Sequence, residues 1–84
     1  MPDSDPIERL KNLGPVTARG LREIGIETIA DLRRTGPTEA YIALRTSQPK
    51  FNKVVLWALA MGLENRHWTD ITQKEKQILL SGLR

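Results

Sequence analysis

The stretch Leu10-Lys11-Asn12-Leu13-Gly14-Pro15-Val16-Thr17-Ala18-Arg19-Gly20-Leu21 decides the fold. Gly14-Pro15 breaks any helix arriving from the N-terminal side. Pro15 also presets the next one, because the first turn of a helix does not need its missing N–H. Before the break, Ile7, Leu10 and Leu13 recur at three-residue spacing and predict a short helix, with Asp5 as N-cap and Pro6 at the first helical position. After it, Val16, Leu21 and Ile24 share one side, and Ala18 between them is small enough for close packing. Two short helices joined by a tight glycine-containing turn make a hairpin.

Working outward, Gly25 predicts a left-handed stop to the second helix, with Ile26 folding back onto Leu21. Thr28 with Asp31 reads as a capping box opening a third helix, from which Ile29 and Leu32 point inward. Gly36-Pro37 ends it and starts a fourth, carrying Ala40, Tyr41 and Leu44. The run Thr46-Ser47-Gln48-Pro49-Lys50 is a loop by composition. Asn52 caps a fifth helix, Val54 to Leu63, that is apolar nearly all round, the pattern of a buried central helix. Thr72 with Glu75 caps a last helix with Ile78, Leu79 and Leu83 facing in. No segment alternates cleanly enough to be a strand. The expected fold is all-α, a bundle of five to six short helices with the hairpin unit at about residues 7–34. Residues 1–6 are expected as a flexible tail and 7–84 as one domain.

Composition narrows the function. The chain has 84 residues, enough for one domain, and a domain this size hides only about 60% of the surface its unfolded chain exposes. A deep substrate cavity does not fit such a core. There are no cysteines and one histidine, His67, so neither a thiolate metal site nor a metal cluster of several histidines can be assembled within the chain. Glu64 and Asp70 sit among helix-end residues and read as solvated caps, His67 as a packing or capping residue, Trp57 as core and Trp68 as closing the core. The reading is a non-enzyme without cofactor, metal or small-molecule substrate. The N-terminus has neither the basic nor the apolar region of a signal peptide, and no apolar run is long enough to span a membrane. A cytoplasmic location is expected.

Thirteen Lys and Arg against ten Asp and Glu give a net charge of +3, which permits nucleic acid as a partner without requiring it. At the hairpin, the amides of Val16 and Thr17 are orphaned at a helix N-terminus and carry partial positive charge. A phosphate oxygen can dock there, with Gly14 allowing close approach and Lys11, Arg19 and Arg22 adding charge nearby. Arg33-Arg34 is explained by the dipole of the helix it ends, or extends a basic stripe toward Lys11 and Arg22. A hairpin serving only as scaffold or protein-docking surface accounts for the same residues.

Residues 7–34 resemble the helix-hairpin-helix superfamily, a fold of the SAM and helix-hairpin-helix kind. The resemblance implies sequence-independent nucleic-acid binding through the hairpin. Where DNA-binding members carry a second glycine, two residues before Gly14, this chain has Asn12, a residue that tolerates positive φ better than most. The second half, through Gly36-Pro37-Thr38-Glu39-Ala40-Tyr41, Val55-Leu56-Trp57-Ala58-Leu59 and Gly62-Leu63-Glu64-Asn65-Arg66-His67-Trp68-Thr69-Asp70-Ile71, is similar to the C-terminal domain of the TfoX family. That likeness spans about Leu10 to Leu83 and implies a bacterial regulatory or accessory module linked to competence. Two functions are therefore carried forward. The first is interaction with a protein partner or a second copy, favoured by the modest charge and by Asn12. The second is DNA binding through Lys11, Asn12, Gly14, Val16, Thr17, Arg19 and Arg22.

Overall fold

The computed structural model describes residues 3–83. Among them are five α-helices: α1 (Pro15–Glu23), α2 (Ile29–Thr35), α3 (Pro37–Ser47), α4 (Lys53–Leu63) and α5 (Gln73–Ser81). Two short 3-10 turns, Ile7–Arg9 and Trp68–Asp70, complete the regular structure of these residues, which contain no strand.

The helix boundaries follow local chemistry. Thr28 Oγ1 accepts from the Asp31 amide at 3.1 Å while Asp31 Oδ2 accepts from the Thr28 amide at 3.1 Å, so the first capping box forms. Thr72 and Glu75 do the same for α5, at 3.1 and 2.9 Å. Gly25, at φ 92°, ends α1: its N–H reaches the Arg22 carbonyl and the Ile26 N–H reaches that of Leu21. This is the Schellman stop expected there. α4 ends in the same way with asparagine in glycine's place. Asn65 stands at φ 57°, its N–H bonds the Gly62 carbonyl, and the Arg66 N–H bonds that of Met61.

Four expectations are corrected. The segment from Ile7 to Leu13 is not a helix; only Ile7–Arg9 turns, and Asn12 at φ 77° excludes continuation. So short a segment cannot offset the cost of nucleating a helix, and long-range bonds claim it instead. Asp5 does not cap it. The carbonyls of Asp3 and Asp5 accept from the Ala30 and Ile29 amides at 2.7 and 3.0 Å, and the Ile7 N–H bonds the Glu27 carbonyl at 2.9 Å. Residues 3–6, expected as a flexible tail, are thus a strap across the start of α2, further held by an Asp3–Arg33 ion pair of 2.8 Å. The remainder of the proposed tail, residues 1 and 2, and the domain's last residue lie outside the described residues. Finally, α3 runs through Ser47, shortening the predicted loop, and Phe51, directly after that loop, is buried.

The core is built from Ile7 and Leu10 before the turn, Leu21 of α1, Ile29 and Leu32 of α2, Tyr41 and Leu44 of α3, and Leu56, Trp57 and Leu59 of α4. α4 buries seven consecutive residues, Leu56 to Gly62, as its apolar character requires. Gly62 lies where a Cβ would come within 2.6 Å of the Lys11 carbonyl oxygen, so the hairpin turn rests directly on the α4 backbone.

Arg66 joins the last elements. Its guanidinium pairs with Glu75 at 2.8 Å and Glu64 at 2.9 Å and donates to the Asp70 carbonyl at 2.9 Å. The hydrogen bond from Arg66, with a second from the Thr72 amide, lowers the Glu75 carboxyl from its ordinary 4.5 to about 2. A depressed folded-state pKa contributes stability that is present above the unfolded value and lost as pH falls through the folded one. Lowering pH from about 5 to 2 should therefore loosen α5, and Glu75→Gln should flatten that part of the Tm–pH curve. A curve of unchanged steepness in the variant would remove this pair from the acid response.

Candidate nucleic-acid interface

The hairpin turn is held from inside by Asn12. Its side-chain amide donates to the Arg66 carbonyl at 2.9 Å and the Ala58 carbonyl at 3.3 Å, and its Oδ1 accepts from the Trp68 N–H at 3.1 Å. The backbone takes the positive φ that a glycine would otherwise supply, and the side chain turns inward, away from the outer face of the turn. Gly14 has an ordinary extended conformation, φ −93°, and a Cβ there would meet nothing within 4 Å. Its glycine is not required by the turn's backbone; the space it leaves lies outside the protein.

α1 begins at Pro15 with no side-chain cap, and Gly14 and Val16 are exposed while Thr17 is half-buried. The Ala18 amide is the first to be taken up, by the Gly14 carbonyl at 3.1 Å. The Val16 and Thr17 amides precede it and have no intrahelical acceptor. Lys11 and Arg19 are exposed and take part in no ion pair among the described residues. Arg22 differs. Its guanidinium grips the Glu8 carboxylate through two hydrogen bonds, lowering the Glu8 pKa from 4.5 to about 2 and raising its own.

The structure thus divides the seven sequence-derived contact residues. Gly14, Val16, Thr17 and Arg19 lie on the first turns of α1 and Lys11 is exposed three residues before Gly14, whereas Asn12 is spent on internal hydrogen bonds and Arg22 on an ion pair. Arg33 and Arg34 do not extend the stripe as free charges, because they pair with Asp3 and Asp31. His67 caps the second 3-10 turn, its Nδ1 accepting from the Thr69 amide, and stacks on Trp68, which is half-buried and not fully part of the core. Among the described residues no group of three or more His, Cys, Asp or Glu could hold a metal ion, and no helix is long and apolar enough to cross a membrane.

Sequence reasoning missed a second group of cations. Arg45, Lys50 and Lys53 line one cleft between α3 and α4. They are separated by a loop in the sequence, and only the shared burial of Tyr41 and Phe51 would have hinted that the flanking cations converge.

These features define a small all-helical domain in which a short 3-10 turn and a tight Asn12–Gly14 turn lead into α1. The chain matches the TfoX C-terminal domain family over residues 3–83, and it belongs to that family. It is 32% identical over 80 residues to the DNA transformation protein TfoX of Haemophilus influenzae, covering 92% of this chain and 37% of that protein. It is also 41% identical over 61 residues to a DNA polymerase IV of Corynebacterium diphtheriae, covering 73% of this chain and 13% of that protein. The chain therefore spans only a minor part of either relative. An uncharacterised protein from Listeria monocytogenes has the same fold, with a TM-score of 0.83 at 24% identity over 89% of this chain and 85% of its own.

Proposed function

We propose that this domain is a non-catalytic accessory module that docks onto the backbone of duplex DNA through the open end of α1. The observation that carries the reading is the Val16–Thr17 amide pair, uncapped at an exposed helix start with Lys11 and Arg19 free beside it. Asn12 had favoured protein interaction on sequence grounds. Its inward side chain and positive φ remove that objection, since Asn12 adopts the left-handed conformation that a glycine would supply. Both relatives, a DNA polymerase IV and a DNA transformation protein, are named for DNA, which supports the same choice.

Docking through helix-end amides recognises phosphate and not bases, so binding is independent of sequence and steeply salt-dependent. In a mobility-shift titration on a 30-base-pair duplex, micromolar protein shifts the DNA at about 50 mM salt and releases it as salt rises. Lys11→Gln and Arg19→Gln each lower the log–log salt slope by about 1. Gly14→Ala weakens binding several-fold by placing a methyl against the phosphate, while stability changes by about 1 kcal/mol or less. Absence of any shift at 50 mM salt sinks the DNA reading.

A second reading, docking to a protein or a second copy of the chain, is favoured by Val16, which is 58% exposed at the tip of the same hairpin. Sedimentation velocity separates the two: concentration-dependent association without DNA, abolished by Val16→Ser, belongs to this reading alone.

A further inference from the structure

The structure assigns a second phosphate-binding site to the cleft between α3 and α4, lying on the same path as the hairpin contact. The assignment rests on the DNA reading above for its macromolecular ligand. The cleft, of about 410 Å³, has Tyr41 and Arg45 of α3 on one side, Lys50 and Phe51 of the loop beneath, and Lys53 of α4 opposite. Three cations line it and no carboxylate does. None is neutralised elsewhere: every ion pair among the described residues uses Arg22, Arg33, Arg34 or Arg66. Uncompensated like charges gathered in one concavity repel one another and favour an anion that can bridge them.

Two further observations point to a ligand. The Tyr41 side chain is 1% exposed, yet its hydroxyl has no hydrogen-bond partner. A buried hydroxyl left unpaired carries a desolvation penalty, and Tyr41 lines the cleft, so a small shift of its ring that brings the hydroxyl to a bound phosphate oxygen would relieve it. Lys50 is also held in place, its Nζ lying 5.6 Å from the centroid of the buried Phe51 ring. The positive end of α4 does not bind through its amides, because Asn52 Oδ1 already accepts from the Val54 amide and the Asn52 carbonyl from that of Val55. Recognition falls to the side chains, with Arg45 able to offer a planar fork to two phosphate oxygens.

Continuity with the hairpin comes from a smaller cleft of about 280 Å³ lined by Val16, Arg19, Gly20, Glu23, Gln48 and Lys50. Lys50 belongs to both clefts, and Glu23, the one carboxylate on the path, accepts from the Gln48 side-chain Nε2 at 3.0 Å. A strand whose phosphate sits on the Val16 and Thr17 amides would thus run past Arg19 and over Lys50 into the larger cleft.

The test uses the full chain and the triple variant Arg45→Gln/Lys50→Gln/Lys53→Gln, with folding checked by circular dichroism. On duplex DNA the triple variant should lower the salt slope by about 2–3, and by more when combined with Arg19→Gln. An unchanged slope beside a wild-type protein that binds DNA overturns the second site and leaves the proposed function standing. If the wild type binds no duplex, the proposed function fails, and inorganic phosphate then decides the cleft. Saturable amide shifts at Phe51 and Lys53 that vanish in the triple variant would make it a free-oxyanion site, and their absence would overturn it. Tyr41→Phe should weaken DNA or phosphate binding about three-fold or more without lowering Tm. Unaltered affinity would remove the hydroxyl from the site.

Discussion

Replacing Asn12 with alanine should destabilise the domain by about 3–4 kcal/mol, a large share of what a domain of this size possesses. The side chain makes three hydrogen bonds to backbone groups 46 to 56 residues away, at Ala58, Arg66 and Trp68. Each is worth about 1 kcal/mol, and its loss leaves a partly buried amide or carbonyl unpaired. Alanine must also adopt the φ of 77°, at a further cost of about 1 kcal/mol. Tm should fall by roughly 15–25 °C. Asn12→Gly separates the contributions: it restores conformational freedom but not the hydrogen bonds, so it should lose about 1 kcal/mol less than alanine. Equal losses in the two variants would show that the turn relaxes away from its left-handed conformation. Because the outer face is unaffected, Asn12→Gly should bind DNA at low temperature with wild-type salt dependence.

The second large effect is expected at Gly62→Ala. An added Cβ would lie 2.6 Å from the Lys11 carbonyl oxygen and 2.9 Å from Leu10 Cγ, and the nearer atom belongs to backbone that cannot rotate aside. Overpacking of this kind costs up to about 3 kcal/mol, offset by about 1 kcal/mol of improved helix propensity. A net loss of about 2 kcal/mol should appear in chemical denaturation as a lower midpoint with unchanged m-value. A stabilised variant would mean that the turn lifts off α4 without loss. The Asn12→Ala/Gly62→Ala double variant should lose less than the sum, since both act on one contact between the turn and α4.

What could be read from the residues alone was local. Capping boxes at Thr28–Asp31 and Thr72–Glu75, the stop at Gly25 and the Asn52 cap depend on neighbours within a few positions, and each stands where the spacing placed it. The apolar continuity of α4 likewise announced its burial. The segment before Gly14 failed because its conformation is set from afar, by the strap to residues 27–30 and by Asn12 reaching α4 and the 66–68 segment. The candidate site divided in the same way. The open α1 amides follow from Gly14-Pro15 and were legible, whereas the capture of Arg22 by Glu8, fourteen residues earlier, was not. The convergence of Arg45, Lys50 and Lys53 was hidden for a further reason: a loop of ordinary composition gave no sign that Phe51 would turn inward and draw its neighbours together.

The way α5 is attached has a consequence for motion. None of its residues is fully buried, Ile78 is 62% exposed, and beyond partial packing by Leu79 and Leu80 it is held by the Thr72–Glu75 box, Arg66 and the Lys76 ammonium over the Trp57 ring. A segment with so little buried surface opens locally at far less free energy than the whole domain unfolds. Amide exchange in α5 should accordingly report a sub-global opening that leaves α1 and α4 protected. Each such opening would uncover the groove where Ala60 and Met61 of α4 meet Ile78 and Leu79, making the last helix a reversible cover over that end of the central one.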